Sequence, residues 1–206
     1  MYDGPDKPSI LMVGQALGYE EERQGKPFVG ESGGELTEML IDAGLNRNEI
    51  GLTNVVSKRP LGNQFENFFH NIREGQMLGK PLYKGAYPHP EVFKGIEELY
   101  ETIERTKPNL VCALGAGALW ALTDVAEVDK KSGAPIGIIK WRGSMLNAKT
   151  PNGYELKLIP TFNPALIGRQ HIQRWIVTQD FRRVKDNAEP GLFNEPEWNF
   201  GIKLTL

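Results

Sequence analysis

The sequence has little cysteine, no excess of positive charge and no long apolar run. Its 206 residues contain one cysteine, Cys112, which excludes an intramolecular disulfide and any cluster held by several cysteines. Because Cys112 lies in the apolar run 110–114, we expect a buried and unreactive thiol. The longest apolar runs have the length of a strand, so none is long enough to cross a bilayer.

The charges are unevenly distributed along the chain. The formal net charge of −2 gives no overall attraction to nucleic acid. Glutamates dominate 20–49 and 91–104, whereas the C-terminal third is basic, and a local basic face can bind DNA. The opening Met1–Asp6 is polar and acidic, unlike a secretory signal. We therefore expect a cytoplasmic protein that does not contact a membrane.

Apolar runs of strand length alternate with helical patterns. The strand-length runs are 10–13, 52–56, 110–114 and 156–159, and the helical patterns cover 34–43, 90–106, 116–122 and 173–188. Continuous apolar strands separated by helices are typical of a parallel sheet that is buried on both faces. The pattern predicts an α/β fold, a three-layer α/β/α sandwich with a central, mainly parallel four-stranded sheet. The length predicts one domain over 1–206.

Residues 61–90 interrupt this alternation with a long insertion that is rich in aromatic residues. Loops of this length in compact domains are usually functional or disordered, and the aromatic content argues against disorder. Two interpretations remain: a surface insertion packed by its own aromatic residues, or a lid or DNA-contacting platform beside a ligand pocket. Residues 188–206 are predicted to form an irregular tail.

The segment 14–33 carries the strongest functional signal. The first apolar run ends in Gly14, a glycine-punctuated acidic loop follows, and Ser32 and Gly33 lead into the first helical pattern. A strand, a loop and a helix N-terminus in this order form the usual place for a phosphate-bearing ligand in α/β proteins.

The stretch 14–30, G-Q-A-L-G-Y-E-E-E-R-Q-G-K-P-F-V-G, resembles the first motif of the uracil-DNA glycosylase superfamily, and its family-four branch most of all. Further resemblances follow in the family's order: the Asn54 strand, the turn 114–119, the turn Arg142-Gly143 and the loop Asn163-Pro164. The resemblance implies the uracil-DNA glycosylase-like fold and a DNA glycosylase, which flips a nucleotide and hydrolyses its N-glycosidic bond. DNA is then the partner, and we expect a monomer.

Several positions depart from the family's pattern. Gln15 and Leu17 replace the family's Glu and Pro, and Asn163 replaces a His, as in the mismatch-specific glycosylases. Family four usually has Lys-Cys where Ser57-Lys58 stand here, and with one cysteine we expect neither its iron–sulfur cluster nor any other metal or cofactor. The stretch 141–144 and the pattern Asp180 to Arg183 look closest to a phage-type group.

The resemblance assigns base binding to two residues. Phe28 would stack on the flipped base, and Asn54, at the end of a strand, would read the base edge. An amide suits that task because it carries both a donor and an acceptor for a pyrimidine edge. The alternatives are a core phenylalanine and an asparagine that closes its strand.

The catalytic candidates are Gln15, Ala16, Glu21 and Asn163. Ala16 stands where the uracil enzymes carry Asp, and Gln15 can position a water molecule but cannot act as a base at neutral pH. Glu20, Glu21 and Glu22 supply carboxylates, and Glu21 aligns with a Glu that the family repeats. The resemblance therefore makes Glu21 our candidate for the base or for the group that stabilises the sugar cation, with a solvated acidic run as the alternative. Asn163 can donate to the base O2 but carries no charge. His171 is a further candidate for the missing imidazole, against an exposed histidine at a helix start.

The candidate DNA-binding residues lie in the C-terminal half. Arg142 and Ser144 form a turn that can contact a phosphate, unless it is simply a solvated turn. In the loop after Asn163, Leu166 and Ile167 would be the wedge and Arg169 a phosphate or base-gap contact, unless they form a core turn. We expect Arg142, Arg169 and the nearby Arg174 to make DNA binding strongly salt-dependent.

These features predict a monofunctional DNA glycosylase, because no lysine in the motifs is placed like a Schiff-base nucleophile. At Gln15, Ala16 and Asn163 the ionisable groups of the uracil specialists are absent, which favours a modified pyrimidine that the aromatic insertion would help to hold. Hypermodified bases of phage DNA, including glucosylated hydroxymethylcytosine, lead the candidates and suggest phage defence. The alternatives are uracil excision in repair, a catalytically silent DNA-binding protein, and an enzyme acting on another nucleobase compound.

Overall fold

A six-stranded sheet forms the centre of the molecule. The computed structural model describes residues 1–165 and 172–193. The strands of this part are β1 (Tyr2–Asp3), β2 (Ile10–Ala16), β3 (Gly51–Val56), β4 (Phe69–His70), β5 (Tyr87–Pro88), β6 (Leu110–Leu114), β7 (Glu127–Val128), β8 (Pro135–Ile136), β9 (Leu146–Lys149) and β10 (Glu155–Thr161). The helices are α1 (Tyr19–Gln24), α2 (Glu31–Asp42), α3 (Ile72–Met77), α4 (Pro90–Thr106), α5 (Ala116–Leu122), α6 (Ile138–Trp141) and α7 (Ile172–Asp186).

The sheet has the order β1-β3-β2-β6-β10-β9. Its four middle strands are parallel, and they are the four apolar runs that the sequence predicts. The short edge strands β1 and β9 pair antiparallel with β3 and β10. The predicted central, mainly parallel four-stranded sheet is confirmed, and the structure adds two edge strands that are too short and too polar to give a periodic signal.

Helices cover both faces of the sheet and give it three layers. On one face the core contains Val92, Ile96, Leu99 and Ile103 of α4 together with Trp120 of α5. On the other face it contains Leu36, Met39 and Leu40 of α2 and Val177, Phe181 and Val184 of α7. Helices α2, α4 and α7 each bury an apolar stripe, and α5 is almost wholly buried, against strands that are apolar on both sides. This arrangement confirms the α/β/α sandwich.

The helix boundaries follow the sequence patterns closely. Helices α4 and α5 have the predicted limits, α7 covers nearly the predicted range, and α2 begins three residues before the predicted 34–43. Helix α1 was not predicted, because its six residues between Gly18 and Gly25 are too few to show a period. None of the helices in the two described ranges is both long and apolar enough to cross a membrane.

The insertion 61–90 packs mainly as part of the core. It forms two 3-10 turns, the hairpin β4–β5 and helix α3. Phe65, Phe68 and Phe69 are buried in the core. The Phe69 ring packs edge-on against the Trp120 ring, with 5.3 Å between the ring centroids. Among the aromatic residues of the insertion, all of which lie in the described part of the chain, only Phe65 lines the cavity at the end of the parallel strands. Of its aromatic rings only Phe65 is thus placed to contact a ligand in that cavity, and a lid or a DNA-contacting platform stays a prediction.

Candidate active site

A cavity of about 190 Å³ opens at the carboxyl ends of the parallel strands. In open parallel sheets this edge is the usual place for a ligand. All six residues that we proposed for base binding and catalysis line it: Gln15, Ala16, Glu21, Phe28, Asn54 and Asn163. The remaining lining residues are Gly14, Leu17, Gly18, Ser32, Pro60, Asn63, Phe65 and Ala165.

Gly14 allows Phe28 and Asn54 to meet in the wall of this cavity. It ends the apolar part of β2, directly beside Asn54 in the register of β2 and β3. A Cβ atom at Gly14 would overlap Asn54 Oδ1 and would lie 2.6 Å from Phe28 Cζ. Only glycine at position 14 leaves room for both side chains. The positions of Asn54, proposed to read the base edge, and of Phe28, proposed to stack on the base, therefore both require Gly14.

The backbone of Phe28 is held in a conformation that non-glycine residues seldom adopt. Its φ of 55° is left-handed, which costs about 1–2 kcal/mol for an L-residue. Arg47 stabilises this conformation, because its Nη2 donates to Phe28 O at 2.8 Å while its Nη1 donates to Gly33 O at 3.2 Å and to Thr37 Oγ1 at 2.8 Å. A Cβ at Gly33 would overlap Phe28 O, so α2 approaches the loop at a glycine.

Arg47 is a residue that sequence reasoning missed. It lies in the short 3-10 helix Arg47–Glu49, in a polar stretch that resembles a solvated turn. In the structure its side chain is half-buried, and burial lowers the pKa of its guanidinium. Nothing local in the sequence signals this, since Phe28 lies 19 residues away along the chain.

Glu21 lies inside the site because α1 turns it inward. The side chain is buried, and its Oε1 accepts a hydrogen bond from the backbone N–H of Gly30 at 2.8 Å. Among the cavity-lining residues of the described chain it carries the only carboxylate. Glu20 is different, since it forms a partly exposed ion pair with Arg23 at 2.7 Å. The interpretation as a solvated acidic run thus suits Glu20 but not the buried Glu21.

Gln15 and Asn163 meet across Gly115, which precedes α5. Gly115 has a φ of 97°, and a Cβ there would overlap Gln15 Oε1 and would lie 3.2 Å from Asn163 Cβ. Asn163 Oδ1 accepts a hydrogen bond from the backbone N–H of Ala165 at 3.1 Å. This bond orients the side-chain amide, whose Nδ2 group is a hydrogen-bond donor for a ligand.

A second cavity of about 420 Å³ adjoins the first. The two share lining residues: Gly18, Glu21, Ser32, Asn63 and Ala165. Four glutamates line the second cavity, namely Glu21 with Glu20, Glu31 and Glu35, of which Glu20 is paired with Arg23 and Glu35 with Arg174. The two cavities therefore lie side by side at the same edge of the sheet.

Arg142 and Ser144 do not line either cavity. Arg142 donates to the buried Asp180 through Nη2 at 2.7 Å and Nε at 3.2 Å, and Asp180 also accepts from Thr161 Oγ1 at 2.6 Å. The guanidinium thereby connects the turn after α6 with α7. The turn is therefore not simply solvated, and Arg142 already has an ion-pair partner within the protein. Ser144 closes this turn by donating its N–H to Trp141 O at 3.0 Å. DNA contact by either residue stays a prediction.

Arg174 has acidic partners as well. Its guanidinium lies 2.9–3.2 Å from carboxylate oxygens of three α2 residues: Glu35, Glu38 and Asp42. These ion pairs tie α7 to α2, and a contribution of Arg174 to salt-dependent DNA binding stays a prediction. The other proposed contacts, Leu166, Ile167 and Arg169, and the alternative imidazole His171 lie outside the described residues.

The residues present do not fit the iron–sulfur cluster that the resemblance to family four implies. Cys112 is buried within β6, and burial raises the pKa of its thiol above the usual range. After β3, where a cysteine would stand, Ser57 Oγ accepts from the terminal ammonium of Met1 at 2.9 Å and Lys58 pairs with Glu91 at 3.1 Å. Neither residue is a ligand for iron in such a cluster.

Comparisons with known proteins show the family to which the chain belongs. The family model of the uracil DNA glycosylase superfamily matches residues 1–185. A "Type-4 uracil-DNA glycosylase" of Thermotoga maritima is 31% identical over 178 residues, 85% of this chain and 76% of that protein. One of the same name from Archaeoglobus fulgidus is 28% identical over 200 residues, 93% of this chain and 84% of that protein. The chain belongs to the uracil-DNA glycosylase superfamily and is a DNA glycosylase.

Proposed function

We propose that this glycosylase is monofunctional and excises a modified pyrimidine from DNA, with uracil as the alternative substrate. The observation that carries the proposal is the second cavity, which adjoins the candidate base pocket and is lined by three further glutamates. In a uracil nucleotide only the sugar and the phosphates could reach this space, because C5 of the ring carries no substituent. A pyrimidine with a large substituent at C5 would have a group on the base to occupy it.

In this proposal the base lies in the first cavity between Phe28 and Asn54. Stacking on Phe28 contributes about 1–3 kcal/mol for a single base and tolerates different substituents. The amide of Asn54 reads the edge of the ring with one donor and one acceptor. Substituents at C5 are not part of that edge, so the same two residues can hold a modified or a plain pyrimidine.

The chemistry follows from the polar groups that line the cavity. Water attacks C1′ of the sugar and gives a proton to Glu21, while the N-glycosidic bond breaks and its electron pair leaves with the base. Gln15 orients the water, and Asn163 Nδ2 donates to O2 of the departing base. No lysine lines this cavity among the described residues, which supports water and not an amine as the nucleophile.

The neutral groups at Gln15, Ala16 and Asn163 support a modified substrate. A neutral amide donor stabilises a departing anion less than a charged donor does, so binding energy from elsewhere has to compensate. The carboxylates of the second cavity can accept hydrogen bonds from hydroxyl groups, as in the sugar of glucosylated hydroxymethylcytosine. Action on hypermodified phage DNA would make the enzyme a defence against phages that spares unmodified DNA.

The test compares abasic-site formation on two DNAs. One is a synthetic duplex with uracil opposite guanine, and the other is phage DNA that carries glucosylated hydroxymethylcytosine. We expect alkali-sensitive sites in the phage DNA, and none with Glu21→Gln. Fast cleavage of the uracil duplex alone would favour the alternative of uracil excision in repair, and uracil is the base in the names of the relatives. Binding without cleavage of either DNA would indicate a DNA-binding protein that has lost the reaction.

A further inference from the structure

A rigid turn with an exposed leucine borders the mouth of the candidate base pocket. Pro60 and Asn63 line the first cavity, and Asn63 also lines the second. Leu61 lies between them in the turn and is 83% exposed. The buried residues Phe28 and Phe65 form the inner wall, whereas Asn63 is exposed, so this turn lies at the outer rim of the pocket.

Several hydrogen bonds fix the shape of this turn. The N–H of Asn63 donates to Pro60 O at 3.1 Å, and Asn67 Nδ2 donates to Leu61 O at 2.8 Å. The Arg59 Nε donates to Asn63 Oδ1 at 2.6 Å. Gly62 and Asn63 both have left-handed backbones, with φ of 61° and 57°. A leucine held in this way cannot turn inward without breaking the contacts of its neighbours.

The position of Leu61 matters because the base must leave the helix to enter the cavity. The duplex then stays at the mouth, with a gap in its stack where the nucleotide was. Enzymes that distort DNA often insert apolar side chains between base steps to offset this lost stacking. Other strongly exposed apolar residues of the insertion, such as Met77 and Leu82, are not adjacent in sequence to any residue that lines the cavity.

We propose that Leu61 is a wedge that enters the base stack beside the flipped nucleotide and stabilises the extrahelical state. The partner is double-stranded DNA, and this wedge is a different segment of the chain from the loop after Asn163. The inference rests on the proposed excision from DNA but not on which base is excised. It predicts a function of Leu61 in duplex DNA that has no counterpart in a single strand.

The test measures single-turnover excision by Leu61→Ala on a duplex and on the single strand of the same sequence, using uracil and glucosylated hydroxymethylcytosine as target bases. We expect the duplex rate to fall at least about tenfold, which corresponds to about 1.4 kcal/mol, and the single-strand rate to stay within about twofold of wild type. Leu61→Phe should retain the duplex rate, and Leu82→Ala is the matched control at an exposed leucine of the same insertion. Equal losses on both substrates, or no loss on the duplex, would overturn the proposal.

A second measurement does not require excision. A duplex carries a tetrahydrofuran abasic analogue with 2-aminopurine as its neighbour, and the fluorescence of 2-aminopurine reports changes in its stacking. We expect a fluorescence change on binding wild type and Leu82→Ala, and none on binding Leu61→Ala. The same change with Leu61→Ala, or no change with wild type, would contradict the wedge. A wild-type change without excision of any base would refute the proposed function but not the wedge.

Discussion

Gly14→Ala gives a precise perturbation of the proposed base pocket. The new Cβ would overlap Asn54 Oδ1 and lie 2.6 Å from Phe28 Cζ, and both of these side chains are buried. Overpacking of this kind costs about 1–3 kcal/mol of folding stability. Displacing the ring or the amide removes base binding of similar size, because stacking alone contributes about 1–3 kcal/mol.

Since each 1.4 kcal/mol is a factor of about ten, we expect the single-turnover excision rate of Gly14→Ala to fall by roughly 10- to 100-fold. Thermal unfolding of the same preparation measures the loss of stability, so that the rate is compared on folded protein. Gly34→Ala is the matched control, because a Cβ at Gly34 in α2 meets nothing within 4 Å. That variant should keep the excision rate and gain about 0.5–1 kcal/mol of stability. A wild-type excision rate for Gly14→Ala would refute the pocket assignment.

Four further predictions follow from the same contacts. Phe28→Ala and Asn54→Ala should each abolish excision on the true substrate while far-UV circular dichroism stays unchanged, and wild-type rates in both would contradict the assignment of the base pocket. Arg47→Met should lower the excision rate about tenfold, with partial recovery in Arg47→Lys, because the carbonyl of Phe28 loses its donor; equal rates in all three proteins would show that the donor does not position the ring. Glu21→Gln keeps an oxygen acceptor for Gly30 but removes the base, so single-turnover rates should fall about 10²- to 10⁴-fold at unchanged melting temperature; a small effect would assign the proton transfer to another group. Arg142→Ala leaves a buried aspartate unpaired and should destabilise the fold by about 3 kcal/mol in urea unfolding; unchanged stability with lost DNA binding would instead identify a phosphate contact.

The parts of the fold that follow a local pattern could be predicted from the sequence. The four apolar runs correspond to the parallel strands. The spacing of Val92, Ile96, Leu99 and Ile103 predicts α4, because a helix that is buried on one face has apolar residues at intervals of three and four. The edge strand β9 and the short α1 carry no such period, so they were missed.

The site was predictable where its residues lie in the first motif or at strand ends, as do Phe28 and Asn54. Contacts between residues that are far apart in the chain produce no local pattern in the sequence from which they could be predicted. Arg47 is in a polar turn that looks solvated, and the partner of Arg142 lies 38 residues further along. Tertiary packing decides both, and a single sequence does not record which side chains meet.

The most direct test of the account identifies the free base that the enzyme releases. Purified protein is incubated with a mixture of uracil-containing duplex and phage DNA with glucosylated hydroxymethylcytosine, and mass spectrometry quantifies the bases that appear in solution, with Glu21→Gln as the blank. The account predicts release of the intact glucosylated base, faster than any release of uracil and absent in the blank. Release of uracil alone, or of the modified base at the same rate with Glu21→Gln, would contradict it.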